Sequence, residues 1–218
     1  MARHTTFVPY PVPPYRARRK RSDVMFKILS ETPLPLDCPT PCRGLAYDGC
    51  WLYLTQSCVC AVSKRDTCGQ IQELYETCRC YSSLCFDPKE CCFWASSEKC
   101  PSTLFKLNRC FQEIDCLRLQ VCRMGLVTGI SFQYCKDQLL VAFADGLALV
   151  DKTGRVVWER ESSQWVRGVL SLCPYFISWS MSDGNTTVQL CDRAHHQVQS
   201  CCLPQDMCVE SAVLDPCG

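Results

Sequence analysis

A segment pattern that recurs about every forty residues is the feature that most limits what this chain can fold into. Each copy opens with a small residue followed by apolar residues, at Gly44, Ser83, Gly129, Gly168 and Ser211. A period of this length made only of β-strand signals is typical of arrays in which each unit buries its apolar face against the next. Small residues suit an inner strand, because they let neighbouring strands approach closely. We label this opening segment strand A.

Three further strand patterns follow strand A in each of the first four copies. Strand B is aromatic or β-branched, as strands prefer, and strand C runs into a turn that carries Asp or Asn, whose side chain can bond its own backbone. Strand D alternates polar with apolar residues, as an outer, half-exposed strand does. In chain order, strand B covers residues 52–54, 92–95, 139–143 and 175–179, strand C covers 61–62, 104–107, 147–150 and 188–190, and strand D covers 71–74, 111–114, 155–158 and 197–198. The sequence therefore predicts four complete four-stranded units.

The two ends of the chain differ from these copies. Residues 1–24 are predicted to be a basic, proline-rich, disordered tail, and residues 25–218 a single repeat domain. Residues 25–36 predict one unpaired outer strand, and residues 209–214 predict strand A of a partial fifth copy. Unpaired strands of this kind allow association with a second chain. The basic tail allows contact with nucleic acid or an anionic surface.

The hydropathy of the chain bears on its location. No window approaches eighteen uninterrupted apolar residues, so we expect no membrane span. The tail lacks the apolar run of a secretory signal. We therefore expect a cytoplasmic or intracellular location, with association with a coat layer as an alternative.

These units resemble the blades of a β-propeller over residues 38–215, at the level of architecture only, because no signature of a particular propeller family is present. The resemblance implies an all-β fold of about four four-stranded blades with overhanging terminal strands. A β-sandwich or an open run of meanders fits the same spacing, since strand spacing alone does not close a ring.

Cysteine is the unusual chemical resource of this chain, with 22 residues, and no pair has the two-residue spacing of a zinc ribbon or redox dithiol. One cysteine falls in each predicted A-to-B turn: Cys50, Cys91, Cys135, Cys173 and Cys217. In a closed propeller these turns share one end, together with Cys68 and Cys110 from the C-to-D turns. The five are therefore a candidate thiolate ring for a soft metal. Duplication of a blade that carries a small hydrophobic cysteine, or disulfide bonding, explains the same pattern.

A second group of cysteines is expected at the opposite end, in the connections from strand D to the next strand A: Cys78, Cys80, Cys116, Cys122, Cys201, Cys202 and Cys208. Histidine is scarce, and His195 and His196 are predicted to lie in a solvated turn. No phosphate-binding loop, dinucleotide fingerprint or nucleophile motif is present. We therefore predict no catalytic residues, no cofactor and no enzymatic activity.

The function that this sequence favours is a non-enzymatic module that binds a protein partner, or acts as a scaffold, through its loops. One alternative is a disulfide-cross-linked structural protein of a coat or envelope layer, because the composition resembles that of the cysteine-rich proteins of bacterial spore coats. Another alternative is a protein that binds soft metals or buffers thiols.

Overall fold

The computed structural model describes residues 3–9, 26–33 and 41–214, apart from 122–124, 193, 195 and 206. Within these residues the chain is all-β, and four four-stranded antiparallel sheets are arranged as the blades of a propeller. This confirms the predicted architecture and excludes the sandwich and the open meander. The described residues include no helix of the length and apolarity that crossing a membrane requires.

The described strands form one hairpin and four meanders. The hairpin consists of β1 (Arg3–Pro9) and β2 (Phe26–Pro33). The first blade contains β3 (Cys42–Tyr47), β4 (Leu52–Gln56), β5 (Ala61–Arg65) and β6 (Ile71–Glu76), and the second contains β7 (Ser83–Asp87), β8 (Cys92–Ser97), β9 (Cys100–Leu107) and β10 (Glu113–Arg118). The third contains β11 (Val127–Gln133), β12 (Gln138–Phe143), β13 (Gly146–Val150) and β14 (Val156–Glu161), and the fourth contains β15 (Trp165–Leu172), β16 (Tyr175–Ser182), β17 (Asn185–Cys191) and β18 (Gln197–Cys202).

The inner strands β3, β7, β11 and β15 lie side by side in chain order. They approach so closely that a Cβ atom added at Gly129 would lie 2.8 Å from the Cα atom of Gly168. One added at Gly44 would lie 2.9 Å from the backbone nitrogen of Leu84. Glycine at positions 44 and 129 is therefore required by the close approach of neighbouring inner strands, as the sequence predicts.

The hydrophobic core lies between successive blades. Phe93, Phe105 and Leu107 of the second blade pack with Tyr53 and Val62 of the first. Equivalent clusters fill the space between the second and third blades and between the third and fourth. The second and third sheets each bury one face against the preceding copy and the other against the next, which explains why their middle strands β8, β12 and β13 are apolar on both faces.

One aromatic residue was assigned to the wrong element by its sequence pattern. Phe111 was predicted to open an outer strand, but it lies in the turn before β10 with a φ of 59°. Its ring is buried and stacks on Phe93 with 4.6 Å between the ring centroids. The apolar space between the first two blades therefore draws the ring inward and delays the start of the outer strand.

The segment at residues 207–214 closes the gap between the fourth blade and the first. Val209 and Ala212 pack on the fourth blade, and Val213 packs on Leu45 of the first. The backbone N–H of Leu45 donates a hydrogen bond to Ser211 Oγ at 3.1 Å. The segment occupies the place predicted for a fifth strand A, but it forms no strand ladder.

The amino-terminal hairpin differs from the predicted tail and from the predicted unpaired strand. Residues 3–9 form β1, and β2 pairs with β1 in antiparallel register rather than standing alone. The run Thr5-Thr6-Phe7-Val8 consists of β-branched and aromatic residues, which favour a strand. The remainder of the predicted tail, residues 10–24, lies outside the described residues.

Candidate functional site at the axial mouth

One position of the repeat forms a ring around the propeller axis. It is the residue that precedes the small residue opening each inner segment, and all five copies of it line one depression, which we call the axial mouth: Arg43, Ser82, Thr128, Arg167 and Glu210. The rest of the lining comes from Glu98, Leu126, Val127 and Trp165. A depression lined by every copy of one position lies on the axis that the copies share.

Backbone irregularities direct three of these side chains. The register of three inner strands, β3, β11 and β15, shifts at the ring position, between Cys42 and Gly44, between Val127 and Gly129 and between Val166 and Gly168. The residue skipped in each case is a ring residue, namely Arg43, Thr128 or Arg167. A β-bulge inserts an extra residue and changes the direction of its side chain. The bulges therefore explain why polar side chains line the axis although the inner strands are mostly apolar.

The charges of the axial mouth are arranged in two pairs. Arg167 lies 2.7 Å from Glu210, the next position around the ring. Arg43, on the other side of Glu210, lies 4.0 Å from Glu98 and donates its Nε–H to Ser57 Oγ at 2.7 Å. The Glu98 side chain is 57 % exposed, so it belongs to the rim rather than to the floor.

The other half of the ring is uncharged. Ser82 Oγ lies 3.0 Å from Ser96 Oγ, and either atom can donate this hydrogen bond. Thr128 Oγ1 is buried and has no hydrogen-bond partner in the described part of the chain. Trp165 lies at the edge of the mouth and is 54 % exposed, a large exposure for an aromatic side chain of this size.

The predicted thiol ring lies at the opposite end of the propeller, in the turns between the first and second strands of each blade. Cys50 and Cys91 are exposed and free, whereas Cys135 and Cys173 form a disulfide that joins the third blade to the fourth. Cys217 lies outside the described residues. No group of three or more His, Cys, Asp or Glu residues within the described ranges is arranged to hold a metal ion. A metal role for these five cysteines stays a prediction.

The second predicted group of cysteines also contains both a disulfide-bonded residue and free residues. Cys80 bonds to Cys60 within the first blade, whereas Cys78, Cys116, Cys201, Cys202 and Cys208 are free. Cys122 and His195 lie outside the described residues. The backbone N–H of His196 donates to Asp192 Oδ1 at 2.9 Å, and the His196 side chain is 80 % exposed, as a solvated turn predicts.

Sequence reasoning missed the axial mouth. Its signal was present in the residue before each opening Gly or Ser, which is polar or charged in all five copies. In an alternating strand pattern this position counts as an outward residue, and at Arg43, Thr128 and Arg167 a bulge turns it toward the axis.

Comparison with known proteins identifies the fold alone. No family model and no curated protein matches this sequence. A chain from the crystal structure of the nidogen/laminin complex is 15 % identical, with a TM-score of 0.63 over 78 % of this chain and 67 % of that chain. Hydrazine synthase of Kuenenia stuttgartiensis is 15 % identical, with a TM-score of 0.55 over 79 % of this chain and 51 % of its own. Glutaminyl cyclase of Myxococcus xanthus is 13 % identical, with a TM-score of 0.54 over 64 % of this chain and 67 % of its own.

Since two of the three carry enzyme names, the fold does not separate a binding module from an enzyme, and the absence of activity stays a prediction.

Proposed function

We propose that this protein is a binding module for another protein and that the axial mouth, with the loops around it, is the interface. The observation that carries the proposal is the position of Trp165, more than half exposed beside a concave depression that also holds Arg43 and Arg167. Trp and Arg are the residue types that dominate the energetic centres of protein interfaces, where they fill or line pockets.

The frame around the mouth supports this role. The inner strands are held by close backbone approach, and each inter-blade space is filled by buried apolar side chains. Because this frame is rigid, the loops that it carries lose little conformational entropy when a partner binds. One chain of similar fold comes from a complex of two proteins, nidogen and laminin, which agrees with a propeller that binds a protein.

Site-specific photo-crosslinking tests the proposal. A photoreactive aromatic amino acid at position 165, which keeps a ring in the place of the Trp165 indole, is expected to crosslink the chain to a partner in an extract of its source. Untagged wild-type chain should compete for this product, and an untagged Trp165→Ala chain should not. Tyr134 is the matched control, since it is 63 % exposed in a turn at the opposite end. A product formed from position 134 and not from position 165 would place the interface elsewhere and contradict the proposal.

A second candidate function, a cross-linked structural protein, is favoured by the exposed thiols. Nine of the described cysteines are exposed and free: Cys50, Cys58, Cys68, Cys78, Cys91, Cys110, Cys116, Cys202 and Cys208. By contrast, burial raises the pKa of the Cys42 thiol to about 12 and that of Cys92 to about 11, which makes these thiols unreactive at neutral pH.

Electrophoresis after mild oxidation distinguishes this candidate. A structural cross-linker is expected to form a ladder of oligomers on a non-reducing gel that collapses to the monomer on reduction. Peptide mapping should place the new bonds at exposed cysteines and leave Cys92, which is buried, alkylatable only after unfolding. A monomer under both conditions would remove this candidate and leave the binding module.

A further inference from the structure

We propose that the axial mouth takes an acidic side chain, Asp or Glu, from the protein that it binds. This inference rests on the proposed function and names the group that the mouth recognises. Three observations support it. Arg43 and Arg167 differ in how closely a carboxylate approaches them, and the buried hydroxyl of Thr128 has no hydrogen-bond partner among the described residues. In addition, the two arginines of the mouth are matched by two glutamates.

The two ring arginines differ in how closely a carboxylate approaches them. Arg167 has its carboxylate, Glu210, at 2.7 Å, which is the distance of a charge-assisted hydrogen bond. Arg43 has Glu98 only at 4.0 Å, the outer limit of an ion pair. A carboxylate entering the mouth can approach the Arg43 guanidinium more closely than Glu98 does, and it can do so in the two-pronged geometry that guanidinium favours.

The hydroxyl of Thr128 gives a second contact for the same group. A buried hydroxyl without a partner is costly, and such groups in folded proteins call for an explanation. Thr128 lines the depression that Arg43 also lines, from two positions further around the ring, and its Oγ1 atom has no hydrogen-bond partner among the described residues. A carboxylate has acceptor sites enough for both the guanidinium and the hydroxyl. One bound acidic group would therefore satisfy both donors.

The charges of the mouth favour a singly charged group on a short stem. Arg43 and Arg167 are balanced by Glu98 and Glu210, so a doubly charged phosphate would be repelled by two nearby carboxylates. The chain already places one glutamate side chain, that of Glu210, between the two ring arginines. A side chain of similar length from the partner fits the remaining half of the ring, next to Thr128.

Selection from a phage-displayed library of random short peptides on the immobilised full chain tests this inference. Displayed peptides have no free carboxyl terminus, so only Asp or Glu side chains supply a carboxylate. Selected peptides are expected to share an acidic residue. Resynthesised with both termini capped, each should lose about tenfold in affinity when that residue is changed to Gln.

The chain supplies the matched variants. Arg43→Gln should weaken binding about tenfold, and it should make the Glu and Gln forms of a peptide bind equally. Arg43→Lys, which keeps the charge without the two-pronged geometry, should fall between them. Arg118→Gln is the control, because Arg118 is exposed on the outer strand β10, and it should bind as the wild type does. An unchanged thermal midpoint of Arg43→Gln confirms that its fold is intact.

The remaining outcomes separate this inference from the proposed function. Two results would contradict recognition of an acidic side chain while supporting the binding interface. The first is peptides whose affinity depends on Trp165 but that carry no acidic residue, and the second is peptides that bind the Arg43→Gln chain as tightly as the wild type. Uncapped peptides that bind more tightly through a free carboxyl terminus than through Asp or Glu overturn the assignment to a side chain. Failure to select any peptide whose binding depends on Trp165 counts against both proposals.

Discussion

Lys152 of the third blade lies with its Nζ atom 2.7 Å from Oδ2 of Asp87, a fully buried carboxylate at the end of the inner strand of the second blade. Arg109 makes the equivalent contact to Asp48 at 2.6 Å, from the second blade to the first. Arg109 directly follows Asn108, and Lys152 directly follows Asp151. The side chains of Asn108 and Asp151 each accept hydrogen bonds from backbone N–H groups of the same turn. The turn motif of one copy therefore holds a cation against the preceding copy, at the end opposite the axial mouth.

Replacing Lys152 by Met is expected to lower the free energy of unfolding by about 3 kcal/mol, because it leaves buried Asp87 beside Glu90 and Asp137 without their shared cation. Urea denaturation at neutral pH measures this loss. Lys99→Met, at an exposed lysine between β8 and β9, should change the stability by no more than about 0.5 kcal/mol. Equal stability of the two variants would show that the inter-blade ion pairs contribute nothing.

Glu113 is expected to make the fold sensitive to acid. Hydrogen bonds from Arg79, together with those from Cys78 and Tyr81, lower the pKa of Glu113 from 4.5 to about 2 despite partial burial, which raises it. Between these two pH values the unfolded chain binds the proton and the folded chain does not, so stability falls as the pH falls. The contribution is complete above pH 4.5 and is lost as the pH falls through about 2. After allowance for solvent screening it amounts to about 2 kcal/mol.

Denaturant titrations at pH 5, 4 and 3 test this prediction, with Glu113→Gln as the variant. The variant should be less stable than the wild type at pH 5, and the difference should narrow toward pH 3. Glu76→Gln, at an exposed carboxylate at the end of β6, serves as the control and should follow the wild-type curve. A constant difference between Glu113→Gln and the wild type across this range would contradict the assignment.

The sequence predicted the blades because their determinants are local and repeated. The small residue of each inner strand, the apolar residues of the middle strands and the Asp or Asn of each turn recur at one interval, and all three have the structural roles expected of them. The bulges at Arg43, Thr128 and Arg167 were not predictable, since a bulge depends on the register with a neighbouring strand rather than on the residue itself. The disulfide pairing was not predictable either, because one sequence is compatible with many pairings. Which cysteines pair depends on which turns lie close together in the folded chain.

A single methyl group at Gly129 is expected to separate two inner strands. The Cβ atom of Gly129→Ala would lie 2.8 Å from Gly168 Cα, a backbone atom that cannot rotate away. The expected cost is about 2 kcal/mol of unfolding free energy, typical of overpacking in a dense core. Ser83→Ala tests the equivalent position of β7, where a Cβ already fits, and should lose only the hydrogen bond to Ser96, about 1 kcal/mol. If Gly129→Ala were the more stable of the two, β11 and β15 would lie further apart than described.

The disulfide between Cys135 and Cys173 is expected to stabilise the junction of the third and fourth blades. It links residues 38 apart in sequence, so it removes conformational freedom from the unfolded chain, and its loss should cost about 2–4 kcal/mol. The double variant Cys135→Ser/Cys173→Ser, compared with the wild type by urea denaturation under oxidising conditions, measures this cost. Cys91→Ser, at a free exposed cysteine in the corresponding turn of the second blade, should leave the midpoint unchanged. Adding a reductant should bring the wild type toward the double variant and leave the double variant less affected, since it retains only the Cys60–Cys80 bond. If the wild type and the double variant unfold at the same urea concentration before reduction, the two blades are held together by their apolar interface alone.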